Sequence, residues 1–353
     1  MRPGAPAEAL RPDLAPNQTT QPTTRRQDAT LLGFAAILLI GLFADGWAHA
    51  NIVDELEGFV TPWHTIVFVG YALTAGHVLL MVHRRRTDGR RLRAAIPPGH
   101  ELAVVGVVAF AIGFNGDAIW HTIFGLESDT AALLSPTHLL MAASLLATVS
   151  TPWRTRPTTH PATWRTDGLR VASLLATALV VAFFLLYLWI PAFAIGSAGY
   201  SDWLASFDAP PFMTEVSQIA VLAAGFVITG VVIVPIVLLV RSGRPPAGAL
   251  LLVALVPALG VTAIREFSNP QTLAAFLLAG VTAELIAART DDHHRRTLLL
   301  GTAVPAVLWT THWLLFAAVH GTGWDIELYP GQITSAVLAG IGIATLMRGP
   351  SEA

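Results

Sequence analysis

Ten apolar runs dominate this sequence, and each is long enough to cross a hydrocarbon core about 30 Å thick. They lie near residues 30–50, 62–83, 102–123, 136–153, 169–194, 216–240, 247–264, 271–288, 297–319 and 331–347. The composition agrees, since 54% of the residues are hydrophobic and only 12% are charged, which excludes an ordinary soluble globule. Uninterrupted runs of this kind form helices, because lipid offers no partner to an unpaired backbone group. We therefore predict an all-α, polytopic membrane bundle of about ten transmembrane helices arranged as hairpins.

The basic residues predict the orientation of this bundle. All 21 are arginines, and every one except Arg265 lies in a terminal segment, in a connection after an even-numbered run or, for Arg170, where such a connection meets the next run. By the positive-inside rule both termini then face the cytoplasm, as in a multi-pass protein of the inner or plasma membrane. The acidic connections face outwards. From the apolar runs we expect the lipid bilayer as a partner. Because basic and acidic residues are predicted on opposite sides of the membrane, we expect no nucleic-acid partner.

The chain divides into three parts. Residues 1–28 are rich in proline, threonine, alanine and glutamine, and we predict a disordered cytoplasmic tail because such a segment buries too little apolar surface to fold. Residues 29–153 contain the first four runs and a repeated polar motif, and residues 154–353 contain the remaining bundle. The chain has no cysteine, so any bound metal must use nitrogen and oxygen ligands.

One polar motif occurs twice inside the apolar runs. Each copy has an aspartate, a histidine four residues later, and a second histidine that follows a proline on the next run. The six residues are Asp45, His49 and His64, then Asp117, His121 and His138. The aspartates and first histidines are related by an offset of 72 and the second histidines by 74. This near-constant offset predicts an internal duplication of the first two hairpins.

Helix geometry predicts that the three side chains of each copy meet. Aspartate and histidine four residues apart lie on one helix face, one turn apart. Thr61 and Ser135 are expected N-caps, each followed by a proline at the first helical position, which places His64 and His138 in the first turn of the returning helix. All three donors of a copy then lie near the outer membrane boundary.

Ionisable side chains are costly at membrane depth, so a repeated cluster of them indicates a functional site. Two imidazoles and one carboxylate suit copper, iron or zinc. His312, at a similar depth on the ninth run, is a candidate additional ligand. The two copies form either two separate metal sites or one shared centre, and their spacing does not distinguish these arrangements.

The second copy also resembles a known family. Asp117 and His121, followed by Pro136, Thr137 and His138, are similar to the Asp-x-x-x-His and downstream Pro-x-His of the C subunit of particulate methane and ammonia monooxygenases. In that family the aspartate and two histidines form a membrane-embedded, copper-associated site facing the outer side. The resemblance implies copper at these residues and, through the repeat, at their equivalents in the first copy.

Three functions remain open at this point. The first is a copper-dependent membrane monooxygenase, or a subunit of one, that acts on a small apolar substrate with O2. The second is a transporter or handling protein for copper or another divalent metal. The third is a haem-binding or structural membrane subunit. Other membrane subunits or a second copy of this chain are expected partners in the first and third cases, and we favour the first.

Overall fold

The computed structural model describes residues 22–52, 61–87, 91–125, 133–158, 161–189, 195–241 and 243–347. No β-strand occurs in these ranges. The predicted tail up to residue 21 and the acidic connections at 53–60 and 126–132 lie outside the described residues. The helices, in chain order, are α1 (Arg25–Asn51), α2 (Pro62–Thr87), α3 (Leu92–Ala95), α4 (Glu101–Phe124), α5 (Pro136–Val149), α6 (Thr151–Thr155), α7 (Trp164–Phe184), α8 (Ala198–Ser206), α9 (Pro211–Arg241), α10 (Ala249–Ile264), α11 (Gln271–Arg289), α12 (His293–His320) and α13 (Leu328–Leu346).

Seven of the described helices are long and apolar enough to cross a membrane: α1, α2, α4, α7, α9, α11 and α12. This confirms the predicted all-α membrane bundle. Helices α5 and α10 have 14 and 16 residues, fewer than the roughly 20 that a complete span requires. The count of ten spans therefore stays a prediction.

Helix α1 begins at Arg25, inside the segment expected to be a disordered tail. A reciprocal capping box explains this start, because the Thr24 hydroxyl accepts from the Gln27 backbone N–H while the Gln27 side chain accepts from the Thr24 backbone N–H. Two backbone donors are satisfied by side chains. The helix consequently extends beyond the apolar run by about one turn, and it brings Asp28 into a buried position.

Small residues allow close packing within the first two hairpins. Helix α1 packs along α2, and α4 packs along α5. A Cβ placed on Gly41 would lie 2.7 Å from the backbone nitrogen of Val67, and one on Gly113 would lie 2.9 Å from Cγ of Met141. The two glycines are related by the same offset of 72 as the aspartates. Each is one helical turn before its aspartate, so close helix contact occurs directly beneath both motifs.

The two hairpins adjoin through α2 and α4. The rings of Phe68 and Phe114 meet edge to face with centroids 4.6 Å apart, and the Tyr71 hydroxyl donates to the Val107 carbonyl at 2.7 Å. A further contact joins the first hairpin to the rest of the bundle, since the Asn51 side chain donates to the Ile264 carbonyl at the end of α10 at 2.8 Å. The ends of α1, α2 and α4 are therefore held side by side.

Candidate metal site

The first motif forms a compact triad at the end of α1 and the start of α2. The Nε2 atoms of His49 and His64 lie 3.8 and 3.2 Å from the same oxygen, Oδ2 of Asp45. All three side chains are half-buried. Two ligands bound to one tetrahedral metal at ordinary bond lengths are separated by about 3.4 Å. The two nitrogen–oxygen distances of the first triad bracket this value, and all three candidate ligand atoms lie within 4.8 Å of one another.

Local sequence positions His64 in this triad. The Thr61 hydroxyl accepts a hydrogen bond from the His64 backbone N–H at 3.0 Å, which is the expected N-cap interaction. Phe68, one turn further along α2, stacks on the His64 imidazole with an interplanar angle of 7°. The cap therefore positions the His64 backbone, and the aromatic neighbour packs on the face of its ring.

The second motif forms a similar triad from α4 and α5. Nε2 of His121 lies 3.3 Å from Oδ2 of Asp117, and Nδ1 of His138 lies 3.4 Å from the other oxygen, Oδ1. Ser135 is the N-cap of α5, as predicted, and accepts from the His138 backbone N–H. Its hydroxyl also contacts Nδ1 of His138 at 2.6 Å. The predicted meeting of three donors thus occurs in both copies.

The hydrogen bonding of His121 determines which of its ring nitrogens faces Asp117. Nδ1 of His121 lies 3.0 Å from the Gly125 carbonyl oxygen, and because a carbonyl only accepts, this nitrogen carries the proton. In the neutral imidazole, Nε2 then presents a lone pair towards the Asp117 carboxylate. Two acceptors facing each other repel. A proton on Nε2 or a metal ion between the two groups removes this repulsion.

The two triads differ in their ligand geometry. Among the described residues, Asp45, His49 and His64 form a group of three side chains that could hold a metal ion, with one ligand atom from each lying within 4.8 Å of the others. In the second triad the histidines face different carboxylate oxygens, and the imidazole centroids are 6.3 Å apart, against 5.8 Å in the first. The geometry of the first triad is therefore the more suitable of the two for holding a metal ion.

The triads are close enough to interact. His49 lies within electrostatic range of Asp117 and His121 as well as of its own partners. Phe68, which stacks on His64, also contacts Phe114 of α4. The space beneath the first triad is therefore bounded by aromatic rings on the side towards the membrane interior.

His312, the proposed additional ligand, is 2% exposed and packs among the rings of Trp309, Trp313 and Phe316. Its helix, α12, packs against α9, α11 and α13. The position of His312 is thus explained by aromatic packing in the C-terminal part of the bundle, away from the hairpins that hold the triads.

Two residues that contact the candidate ligands were not predicted from the sequence. The Thr137 hydroxyl donates to Oδ1 of Asp117 at 2.8 Å, and Phe68 supports His64. The four-residue spacing from His64 could have identified Phe68, because residues i and i+4 are neighbours on a helix. No local signal distinguishes Thr137 from an ordinary residue in the first turn of α5.

No protein-family model matches this chain, and no match to a curated protein or to a solved structure was found.

Proposed function

We propose that this chain is an integral membrane metal-binding protein whose primary metal ligands are Asp45, His49 and His64. The observation that carries the proposal is the approach of two imidazole nitrogens to one carboxylate oxygen at 3.8 and 3.2 Å. Burying three ionisable groups at a helix end in lipid is unfavourable unless they interact with one another or with an ion. The second triad, Asp117, His121 and His138, is proposed as a further ligand set next to the first.

Copper is the proposed metal. Sites built from nitrogen and oxygen donors bind Cu(II) more tightly than the other divalent first-row metals, and the chain has no cysteine to favour a softer ion. Iron and zinc are the alternatives that the same ligands accept. Three protein ligands leave coordination positions for an exogenous molecule.

The proposed activity is oxidation of a small apolar substrate with O2, by this chain or by an assembly that contains it. The resemblance of Asp117, His121 and His138 to the monooxygenase motif supports this reaction. In a monooxygenation one oxygen atom enters a C–H bond and the other leaves as water, so an external reductant must supply two electrons and the solvent two protons. A substrate of this kind can arrive through the lipid and meet the apolar surface of Phe68 and Phe114.

Two observations favour this proposal over the alternatives. A transporter needs polar groups that continue across the membrane, whereas Phe68 and Phe114 lie directly beneath the first triad. A haem with two axial histidines needs its macrocycle between the imidazoles, whereas His49 and His64 both face one Asp45 oxygen. The orientation proposed with this function places the triads at the outer side and both termini in the cytoplasm.

The test is Cu(II) binding to the purified protein in lipid nanodiscs, measured by elemental analysis and electron paramagnetic resonance. We expect bound copper in the unaltered chain and a loss of about one equivalent in both His64→Ala and Asp45→Asn. His77→Ala is the matched control, because His77 is on the same helix and its Nε2 contacts the Gln27 carbonyl at 2.9 Å instead. Equal copper content in all four proteins would overturn the assignment.

The same measurement distinguishes one shared centre from two sites. His121→Ala and His138→Ala should each reduce bound metal. If the chain binds two equivalents and each triad's variants lose one, the triads are separate sites. If it binds one equivalent and variants of either triad abolish it, the two ligand sets form one centre.

A further inference from the structure

A cleft lies between the start of α1 and the end of α2, at the opposite end of these helices from the triads. It consists of two adjoining cavities of about 410 and about 150 Å³. Gln27, His77 and Arg84 line both cavities. From His64 to Arg84 the helix rises about 30 Å, so the cleft and the metal site lie on opposite sides of the bilayer.

The lining of this cleft is cationic. Arg26 and Arg84 line the larger cavity, and Arg85 joins Arg84 in the smaller one. Among the residues that the structure describes, none of those lining the cleft carries a carboxylate. The acidic residue closest in sequence, Asp28, is 1% exposed and pairs with Arg156 at 2.7 Å. Its charge is therefore compensated by an arginine that does not line the cleft.

The wall of the cleft becomes apolar towards the membrane interior. Leu80 and Met81 line the smaller cavity, about one turn before the arginines. Leu79 and Leu80 are 47% and 46% exposed, so this part of α2 presents an aliphatic surface beside the cations. A phosphate group with attached acyl chains has the complementary distribution of charge and apolar surface.

We propose that this cleft binds the headgroup of an anionic phospholipid, with the phosphate between Arg26 and Arg84 and an acyl chain along the Leu79–Leu80 surface of α2. Basic pockets between transmembrane helices are favourable sites for such lipids, because the phosphate is attracted at the interface while the chains stay in the hydrocarbon. The site does not depend on metal binding by the triads.

The test uses the full chain reconstituted with phosphatidylcholine and phosphatidylglycerol, with retained lipid measured by native mass spectrometry. We expect retained phosphatidylglycerol in excess of its bulk fraction. Each arginine removed should weaken this binding about fivefold, the factor that corresponds to about 1 kcal/mol per basic residue at an anionic surface. Arg26→Ala with Arg84→Ala should therefore lose most of the retained lipid. Equal retention in the double variant and the unaltered chain would overturn the proposal.

Arg241→Ala with Arg289→Ala is the matched control, because both arginines end other membrane helices, outside the cleft. It should retain phosphatidylglycerol, as should Arg84→Lys, which keeps the charge. If the double variant does not fold, Arg26→Ala is compared alone with Arg289→Ala, and equal retention again overturns the site. If inorganic phosphate in lipid-free detergent raises the unfolding temperature as much as phosphatidylglycerol does, the ligand is free phosphate and the lipid proposal is wrong.

Discussion

The hydroxyl of Thr137 donates a 2.8 Å hydrogen bond to Oδ1 of Asp117. The equivalent position in the first hairpin, 74 residues earlier, is Trp63, whose indole ring packs on Trp47 with centroids 5.6 Å apart. The Asp117 carboxylate is thus oriented by the Thr137 hydroxyl, whereas Trp63, at the position equivalent to Thr137, packs against another aromatic ring. This difference makes the two triads experimentally distinguishable.

Thr137→Val should weaken metal binding at the second triad and leave the first unchanged. Valine keeps the shape of threonine but cannot hold the Asp117 carboxylate, and loss of a hydrogen bond to a ligand typically reduces metal affinity about 10- to 100-fold. The measurement is a Cu(II) titration in nanodiscs.

The control for this experiment is Thr122→Val on α4, because the Thr122 hydroxyl donates to its own helix, at the Ala118 carbonyl. That variant should bind copper as the unaltered chain does. A Thr137→Val protein with both affinities unchanged would show that the second triad does not bind metal through Asp117.

Gly41→Ala should destabilise the first hairpin and reduce metal bound by the first triad. The added Cβ would lie 2.7 Å from the Val67 backbone nitrogen, so α1 and α2 must separate, at a cost of about 1–3 kcal/mol for overpacking. Gly33→Ala is the control on the same helix, since nothing lies within 4 Å of a Cβ there. The Gly41→Ala protein should unfold at a lower temperature and bind less copper than the Gly33→Ala protein. Equal unfolding temperatures and copper contents would contradict the close packing of α1 on α2.

Arg156→Ala should be strongly destabilising. Arg156 Nε lies 2.7 Å from Oδ2 of Asp28, and His100 Nε2 lies 3.4 Å from Oδ1, with both Asp28 and His100 1% exposed. Removing one partner of a buried ion pair costs about 3 kcal/mol or more. Arg165→Ala, at an exposed position at the start of α7, should be nearly neutral. The unfolding temperatures of the two variants are compared in the same detergent. Equal values would show that the Asp28–His100–Arg156 cluster does not stabilise the fold.

Glu284→Ala should destabilise the protein by about 1 kcal/mol, as expected for loss of a helix cap. Oε1 of Glu284 on α11 accepts from the backbone N–H groups of Leu250 and Leu251 at 2.8 and 3.3 Å, so it caps the start of α10 from another helix. Glu215→Ala, exposed on α9, is the control. If the two variants unfold at the same temperature, the cap contributes nothing measurable.

Several features of the fold and site follow from local sequence. Run length and composition predict membrane helices, because a helix is the segment that satisfies its own backbone in lipid. The four-residue spacing places Asp45 beside His49, and the Thr61-Pro62 start positions His64, because these relations depend only on helix periodicity and capping. The structure agrees with both relations.

Tertiary packing decided the rest. The proximity of the two triads, the burial of Asp28 against His100 and Arg156, and the cap that Glu284 provides to α10 all join residues that are far apart in the chain. His312 illustrates the same limit, because its depth on a helix is readable from the sequence but the neighbour it faces is not. Periodicity determines which side of a helix a residue occupies, whereas the packing of whole helices determines what that side meets.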